Sequence, residues 1–241
     1  GGIMQGINSP ARTDRFLITP YASLRHEDSD INDTHGGLKT ATGADIRFNI
    51  TPNLNLNATI NPDFASIEGD RQRIDLSGWE ISFPEKRLFF REGNEMFDMR
   101  YRLFYSRRIG DINYGGKFTG KIGDYSMNVM SVRSVENQER EEPAAFYSVV
   151  RVKKDIFKSS TLGFTFVDKS SDTASVRNYG FDWVLNPGEF WKITGQLIGS
   201  SPGDFWKHSG GFIRVAHESN KHHIHVRYSD LGISLKDNFN K

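Results

Sequence analysis

The chain contains no cysteine, which excludes a disulfide scaffold, a thiolate metal site and a cysteine nucleophile. It also lacks any long apolar run. Hydrophobic residues make up 37% of it and the mean hydropathy is -0.55, far from the ~20 consecutive apolar residues that a membrane-spanning helix requires. That absence excludes helical spans only, because in a membrane β-barrel just the alternate residues meet lipid and the average polarity stays near that of a soluble protein. Charge of one sign is missing too: 31 Lys and Arg against 30 Asp and Glu leave a net charge of +1. Nucleic acid is therefore not expected as a partner, since phosphate recognition needs a basic surplus gathered on one face. No G-x-S-x-G, H-E-x-x-H or dinucleotide fingerprint occurs, and no cofactor is expected. The stretch from Gly110 to Lys117 approaches a phosphate loop but its spacing fails, so its glycines are expected to ease a bend or close packing in a strand. The sequence begins Gly1-Gly2 with no charged-then-apolar leader, so any export signal is expected to lie outside it.

What the chain does have is period-two alternation. Leu54, Leu56, Ala58 and Ile60 alternate with Asn55, Asn57 and Thr59, and Tyr179, Phe181, Trp183 and Leu185 alternate with Gly180 and Asp182. Such segments make strands with one greasy and one wet face. Further candidates at 15–24, 43–50, 114–122, 125–133, 145–152, 161–167, 190–199, 210–217 and 223–228 bring the set to about eleven strands, and convincing amphipathic helices are missing.

The connections alternate in length. Thr51-Pro52-Asn53, Gly123-Asp124, 154–159, Asn186-Pro187-Gly188 and 219–221 carry turn-forming residues, whereas 26–38, 61–112, 134–143, 168–175 and 200–209 are longer and more polar. Tight turns at one end and long loops at the other are the wiring of an outer-membrane barrel. Tyr125, Phe190 and Trp191 beside short turns, with Tyr21 and Trp206 near longer loops, suit interfacial aromatic girdles. The expected fold is thus all-β: an antiparallel up-and-down transmembrane β-barrel with about 11 strands present. An odd, unclosed set in lipid leaves an unpaired edge, so residues 1–241 are expected to be the N-terminal part of a larger barrel in the cell outer membrane. A soluble antiparallel sandwich or a sugar-binding β domain would show the same alternation and stays open as an alternative.

Residues 61–112 stand out, because a structureless link of that length is rare inside a compact domain. The segment begins Asn61-Pro62-Asp63-Phe64, passes through Phe83-Pro84-Glu85-Lys86-Arg87-Leu88-Phe89-Phe90-Arg91-Glu92-Gly93, and closes on Leu103-Phe104-Tyr105-Ser106-Arg107-Arg108-Ile109-Gly110. Together with Gly115-Gly116-Lys117-Phe118-Thr119-Gly120-Lys121, these motifs resemble an uncharacterised group of Bacteroidota outer-membrane β-barrel proteins, specifically over residues 50–135 and more loosely elsewhere. Ser82, Leu88 and Arg91 depart from that group's usual residues. Many members of the group carry an upstream periplasmic domain similar to family-9 carbohydrate-binding modules. The resemblance implies an outer-membrane setting with lipid contact and a place in an outer-membrane protein complex as one expectation; it implies no reaction and does not transfer sugar binding, so a glycan is expected as partner only under the sugar-binding or hydrolase alternatives.

Within 61–112, about ten carboxylates against about nine Lys and Arg suggest a self-neutralised ion-pair network rather than a one-signed selectivity ring. The expectation is a segment folded over or into the barrel mouth as a plug or cap, with Phe89, Phe90 and Phe97 as its core, a short strand before Pro84, and Glu85, Lys86, Arg87, Arg91, Glu92, Arg107 and Arg108 as ligand or plug residues. Asp63, Glu68 and Asp70 offer oxygens for calcium without matching an EF-hand spacing. His223 and His225 share a strand face, with His217 across the turn, but a third ligand for zinc is wanting. Glu85 and Glu92 would be the carboxylate pair of a surface glycan or peptide hydrolase, the enzymatic alternative to a transport or surface-complex role.

Overall fold

The computed structural model describes residues 15–29, 34–64, 83–137, 142–201 and 208–232. These form one antiparallel sheet of eleven strands, paired strictly in chain order: β1 (Phe16–Ser29), β2 (Thr34–Thr51), β3 (Leu54–Ile60), β4 (Ile112–Ile122), β5 (Tyr125–Ser134), β6 (Ala145–Ile156), β7 (Ser160–Ser171), β8 (Ser175–Leu185), β9 (Trp191–Ser201), β10 (Ser209–Glu218) and β11 (His223–Leu231). The sheet is not closed, and β1 and β11 are its two edges. Each strand coincides with one of the alternating segments, because period two places a whole hydrophobic set on one face and so defines the strand locally.

Three expectations change. Residues 26–38 are not a long polar loop: β1 runs to Ser29 and β2 starts at Thr34, and the ladder pairs His26 with Leu38 and Glu27 with Gly37. The 168–175 connection shrinks likewise, since β7 reaches Ser171 and β8 opens at Ser175. Sheet hydrogen bonds continue through polar residues when a neighbour supplies the partner, so strand ends outrun the hydrophobic pattern. Phe83 lies outside any strand, while Trp79–Ser82 of the expected short strand and Trp206 fall outside the described residues.

Cross-strand partners share a face, so the registers sort the side chains. Phe16, Phe48, Leu56, Phe118, Val129, Val150, Phe166 and Tyr179 form one unbroken apolar row across eight strands. This face is open: Phe16 is 57% exposed, Leu56 43% and Val226, further along, 70%. One position over, the opposite face carries Asn49, Asn55, Thr119, Asn128, Arg151 and Thr165 in register. There Arg151 is 1% exposed and Thr165 0%. The sheet is therefore inverted relative to a water-soluble protein: its bare face is apolar, while its covered face carries these polar residues alongside Met130, Val132, Tyr147, Val149 and Val167.

The cover is the connector. Residues 83–111 hold an α-turn α1 (Leu88–Arg91) and two 3-10 turns (Asn94–Phe97 and Ser106–Arg108), and they lie on the polar face. Phe89, Phe90, Phe97, Leu103, Phe104 and Ile109 pack with Met130, Val132, Tyr147, Val149, Val167 and Ile198 from the wall into one buried cluster. Phe89 and Phe90 meet edge to face at 5.2 Å and Phe97 and Phe104 at 4.8 Å, distances that favour aromatic pairs. Wall glycines make the seats. A Cβ on Gly180 would stand 2.6 Å from Leu103 Cδ1, and one on Gly115 3.2 Å from Phe89 Cζ.

Candidate functional site

The region where connector meets polar wall gathers most of the sequence candidates. Glu85 and Arg87 form its tightest unit. Arg87 donates Nε to Glu85 Oε1 at 2.9 Å and Nη2 to Oε2 at 2.8 Å; its remaining guanidinium protons go to the carbonyls of Ser106 (2.6 Å), Ile109 (2.7 Å) and Gly110 (3.2 Å). All five donors of the planar fork are used. Ser106 Oγ donates to Glu85 Oε2 at 2.6 Å, and the guanidinium lies 4.2 Å from the Phe90 ring centroid. Burial by itself would push the Glu85 carboxyl up, but the hydrogen bonds and charge of Arg87, with Ser106, outweigh it and hold Glu85 below its ordinary value. The pair staples the start of the connector to its end.

Glu92 faces outward from the connector and binds the wall. Its carboxylate accepts from Arg47 Nη2 at 2.8 Å, Asn55 Nδ2 at 3.0 Å and Asn57 Nδ2 at 3.1 Å, side chains on β2 and β3. From β4, buried Lys117 donates to the carbonyls of Phe89 and Glu92. From β5, Asn128 Nδ2 donates to Gly93 O at 3.1 Å, and Gly93, at φ 72, supplies the left-handed turn that lets the chain double back there. Since Asn55 lies next to the Thr51–Asn53 turn, the connector reaches down the face almost to the short-turn end instead of resting on the rim. On the far side, Arg151 donates Nε to Met96 O at 3.0 Å while its Nη2 meets Asp182 Oδ2 at 3.0 Å. Gln196 exchanges two hydrogen bonds with the backbone of Tyr101, at 2.7 and 2.9 Å. The connector is thus hydrogen-bonded to β2 through β7, the last by Thr165 Oγ1 to Met99 Sδ at 3.7 Å, and to β9.

The other candidates are dispersed. Lys86 and Asp63 line a cleft of about 240 Å³ with Tyr21, Asp45 and Phe89. Exposed Arg91 lines a separate cleft of about 380 Å³ with Glu95, Asp98 and Arg102. Arg107 and Arg108 sit half-buried in the last 3-10 turn. Glu68 and Asp70 lie outside the described residues, so the calcium set is represented by Asp63 alone. His223 and His225 do share a face, their rings 5.6 Å apart, whereas His217 pairs in register with Ile224 on the opposite face and packs at 4.9 Å on Trp191. Among the described residues no three metal-ligating side chains converge. Sequence reasoning did not single out the wall partners Arg47, Asn55, Asn57, Lys117, Arg151 and Gln196. Their signal was polarity at wet-face positions of strands, which does not tell a water-facing residue from one covered by another segment of the chain.

Residues 12–131, covering β1 to most of β5 and the whole connector, match the family described as Domain of unknown function (DUF5916). No curated protein and no solved structure matches the chain.

Proposed function

We propose that this domain of unknown function and the strands after it form part of the wall of an outer-membrane β-barrel of the Bacteroidota kind described above. Residues 83–111 plug its lumen, and the protein acts in transport or within a surface complex. The observation that carries this reading is the inverted sheet. Burying a large apolar side chain is worth roughly 1.5–3 kcal/mol, and the exposed face leaves Phe16, Ile18, Phe48, Leu56, Phe164, Leu197, Ile224 and Val226 among many others uncovered. Lipid is the solvent that reverses this deficit. Hydrogen-bonded strands with an apolar outside and polar inside are how β proteins cross it.

The edges of that apolar face add support. Toward the long connections, Tyr114, Arg133 and Phe146 cluster, with the guanidinium 4.7 Å from the Phe146 ring. At the short-turn end, Lys154 lies 5.1 Å from the Tyr125 ring, Trp191 packs on His217, and Phe157 projects 93% exposed from its turn. From Phe146 to Lys154 along β6, eight residues rise about 26 Å, which at the usual barrel tilt gives about 20 Å between belts, a little less than the ~25 Å of a bilayer-facing band. Unpaired edges at β1 and β11 would be costly in lipid, so the wall requires further strands to close.

No observation favours the hydrolase alternative. Glu85 and Glu92, its two carboxylates, are both committed to holding the connector. The deciding experiment is extraction of the full-length protein from membranes. Detergent-dependent solubility, with tryptophan fluorescence quenched by brominated lipid after reconstitution, is expected. A monodisperse protein in plain buffer would overturn the barrel.

A further inference from the structure

The connector stops at Phe212. Tyr101 packs on that ring at 5.6 Å and Arg100 lies 5.4 Å from it, and beyond it toward the short turns Lys192, His223, His225 and Arg227 on the polar face of β9 and β11 are exposed, with half-buried Arg214 and buried Ala216 between them. The registers gather cations there. Thr194, Arg214 and Arg227 are cross-strand neighbours, and Lys192, Ala216 and His225 form the next row. His223 follows at the end of β11, and Arg100 overhangs the upper end. On the same face of β8–β11 the acids are Asp182, committed to Arg151, and Glu218, paired with Arg214 at 3.5 Å. Asp98, near Arg100 in sequence, lines the other cleft with Arg91 and Arg102.

Arg214 directly opposite Arg227 is the telling feature. Like charges in register repel and destabilise a sheet, so a fold gains nothing from placing them together. Arg214 Nε is in addition enclosed with no hydrogen-bond partner. The overall charge balance of the chain hides this strip, because its members come from three strands that only the register aligns. Aligned guanidinium and ammonium groups on a lumenal wall are the chemistry that selects anions.

We propose that the face formed by Lys192, Arg214, Arg227 and Arg100 binds small solutes carrying two or more carboxylate or phosphate groups. Its role in permeation rests on the barrel reading; its affinity does not. Bridging the two guanidiniums with one polyanion relieves their repulsion and fills the open donor of Arg214. The histidines at the lower end extend the strip toward the short turns.

The test is titration of the full chain with citrate and with pyrophosphate by calorimetry, in detergent or in plain buffer, whichever keeps it monodisperse. Saturable binding is expected, weakened about tenfold or more for each guanidinium removed in Arg214→Gln and Arg227→Gln, and unchanged in Lys158→Gln, which removes the same charge from a distant turn. Absence of binding in the wild type, equal affinity in the variants, or an equal loss in Lys158→Gln overturns the proposal. Because Arg214 is partly enclosed and its variant is liable to misfold, Arg227→Gln on the exposed edge strand gives an independent reading. Without anion its thermal midpoint should rise as the repulsion disappears, and the stabilisation that citrate gives the wild type should shrink. A fall in the anion-free midpoint marks a structural arginine and overturns the site. After reconstitution, a conducting wild type should show anion selectivity in a salt gradient, falling toward none in the double variant; solubility without detergent would defeat the barrel and leave the calorimetry standing.

Discussion

At residue scale the decisive side chain is Arg87. Its five donors close a circuit through Glu85, Ser106, Ile109 and Gly110, and although Glu85 also lines the cleft beside Arg91, its carboxylate oxygens are taken up by Arg87 and Ser106. Breaking a buried pair by removing one partner strands the other charge, at about 3–5 kcal/mol. Arg87→Met should therefore lower the unfolding free energy by that much, and the double change with Glu85→Leu should recover most of it; a double variant as weak as the single one would show that the carbonyl contacts, not the stranded carboxylate, carry the loss. The same pair sets an acid limit. Glu85 is held below its ordinary value of 4.5, so its contribution is fully present above that value and disappears as pH falls through the lower, folded-state value. A thermal midpoint followed downward from neutral pH should drop below the ordinary carboxylate range more steeply in the wild type than in Glu85→Gln; parallel curves would show that other carboxylates set the acid limit.

At element scale the connector is anchored to β2–β5 at one place, because its bonds to these strands converge on Phe89, Glu92 and Gly93. Removing the carboxylate in Glu92→Ala forfeits three hydrogen bonds, one of them to a charged guanidinium, worth about 1–3 kcal/mol together after solvent compensation. Amide exchange over 89–97 should accelerate while the ladder amides of β3 to β5 keep their protection. Equal acceleration in both would mean that plug and sheet open as one unit. All eleven strands were legible from alternation, since a period of two is a local property. The extension of β1 and β2 through 26–38 was not: His26, Glu27 and Gly37 have no strand signature of their own and are held by each other's backbone. Phe89, Phe90 and Phe97 were legible as an apolar nucleus for the same local reason. That Glu92 meets Arg47, and that Arg214 meets Arg227, depends on registers between distant segments, and composition averages such pairs away.

At the scale of the whole molecule the two faces make opposite claims about solvent, and the chain's lack of cysteine lets them be read separately. Val129 lies in the middle of the bare apolar row, 39% exposed, and Thr194 lies on the polar face beside Arg214, past the end of the connector. If water bathes both faces, Val129→Cys and Thr194→Cys should each react with a charged maleimide. In a barrel the first faces acyl chains that exclude the reagent and the second faces an aqueous lumen, so in intact reconstituted vesicles labelling at position 129 should fall to background while position 194 still reacts. Detergent denaturation should then equalise the two, which guards against a variant that is merely buried by misfolding. Reaction at 129 in intact vesicles would return the apolar face to water and leave its exposed side chains in need of a protein partner, making a surface assembly, rather than a lipid-embedded wall, the structure to seek.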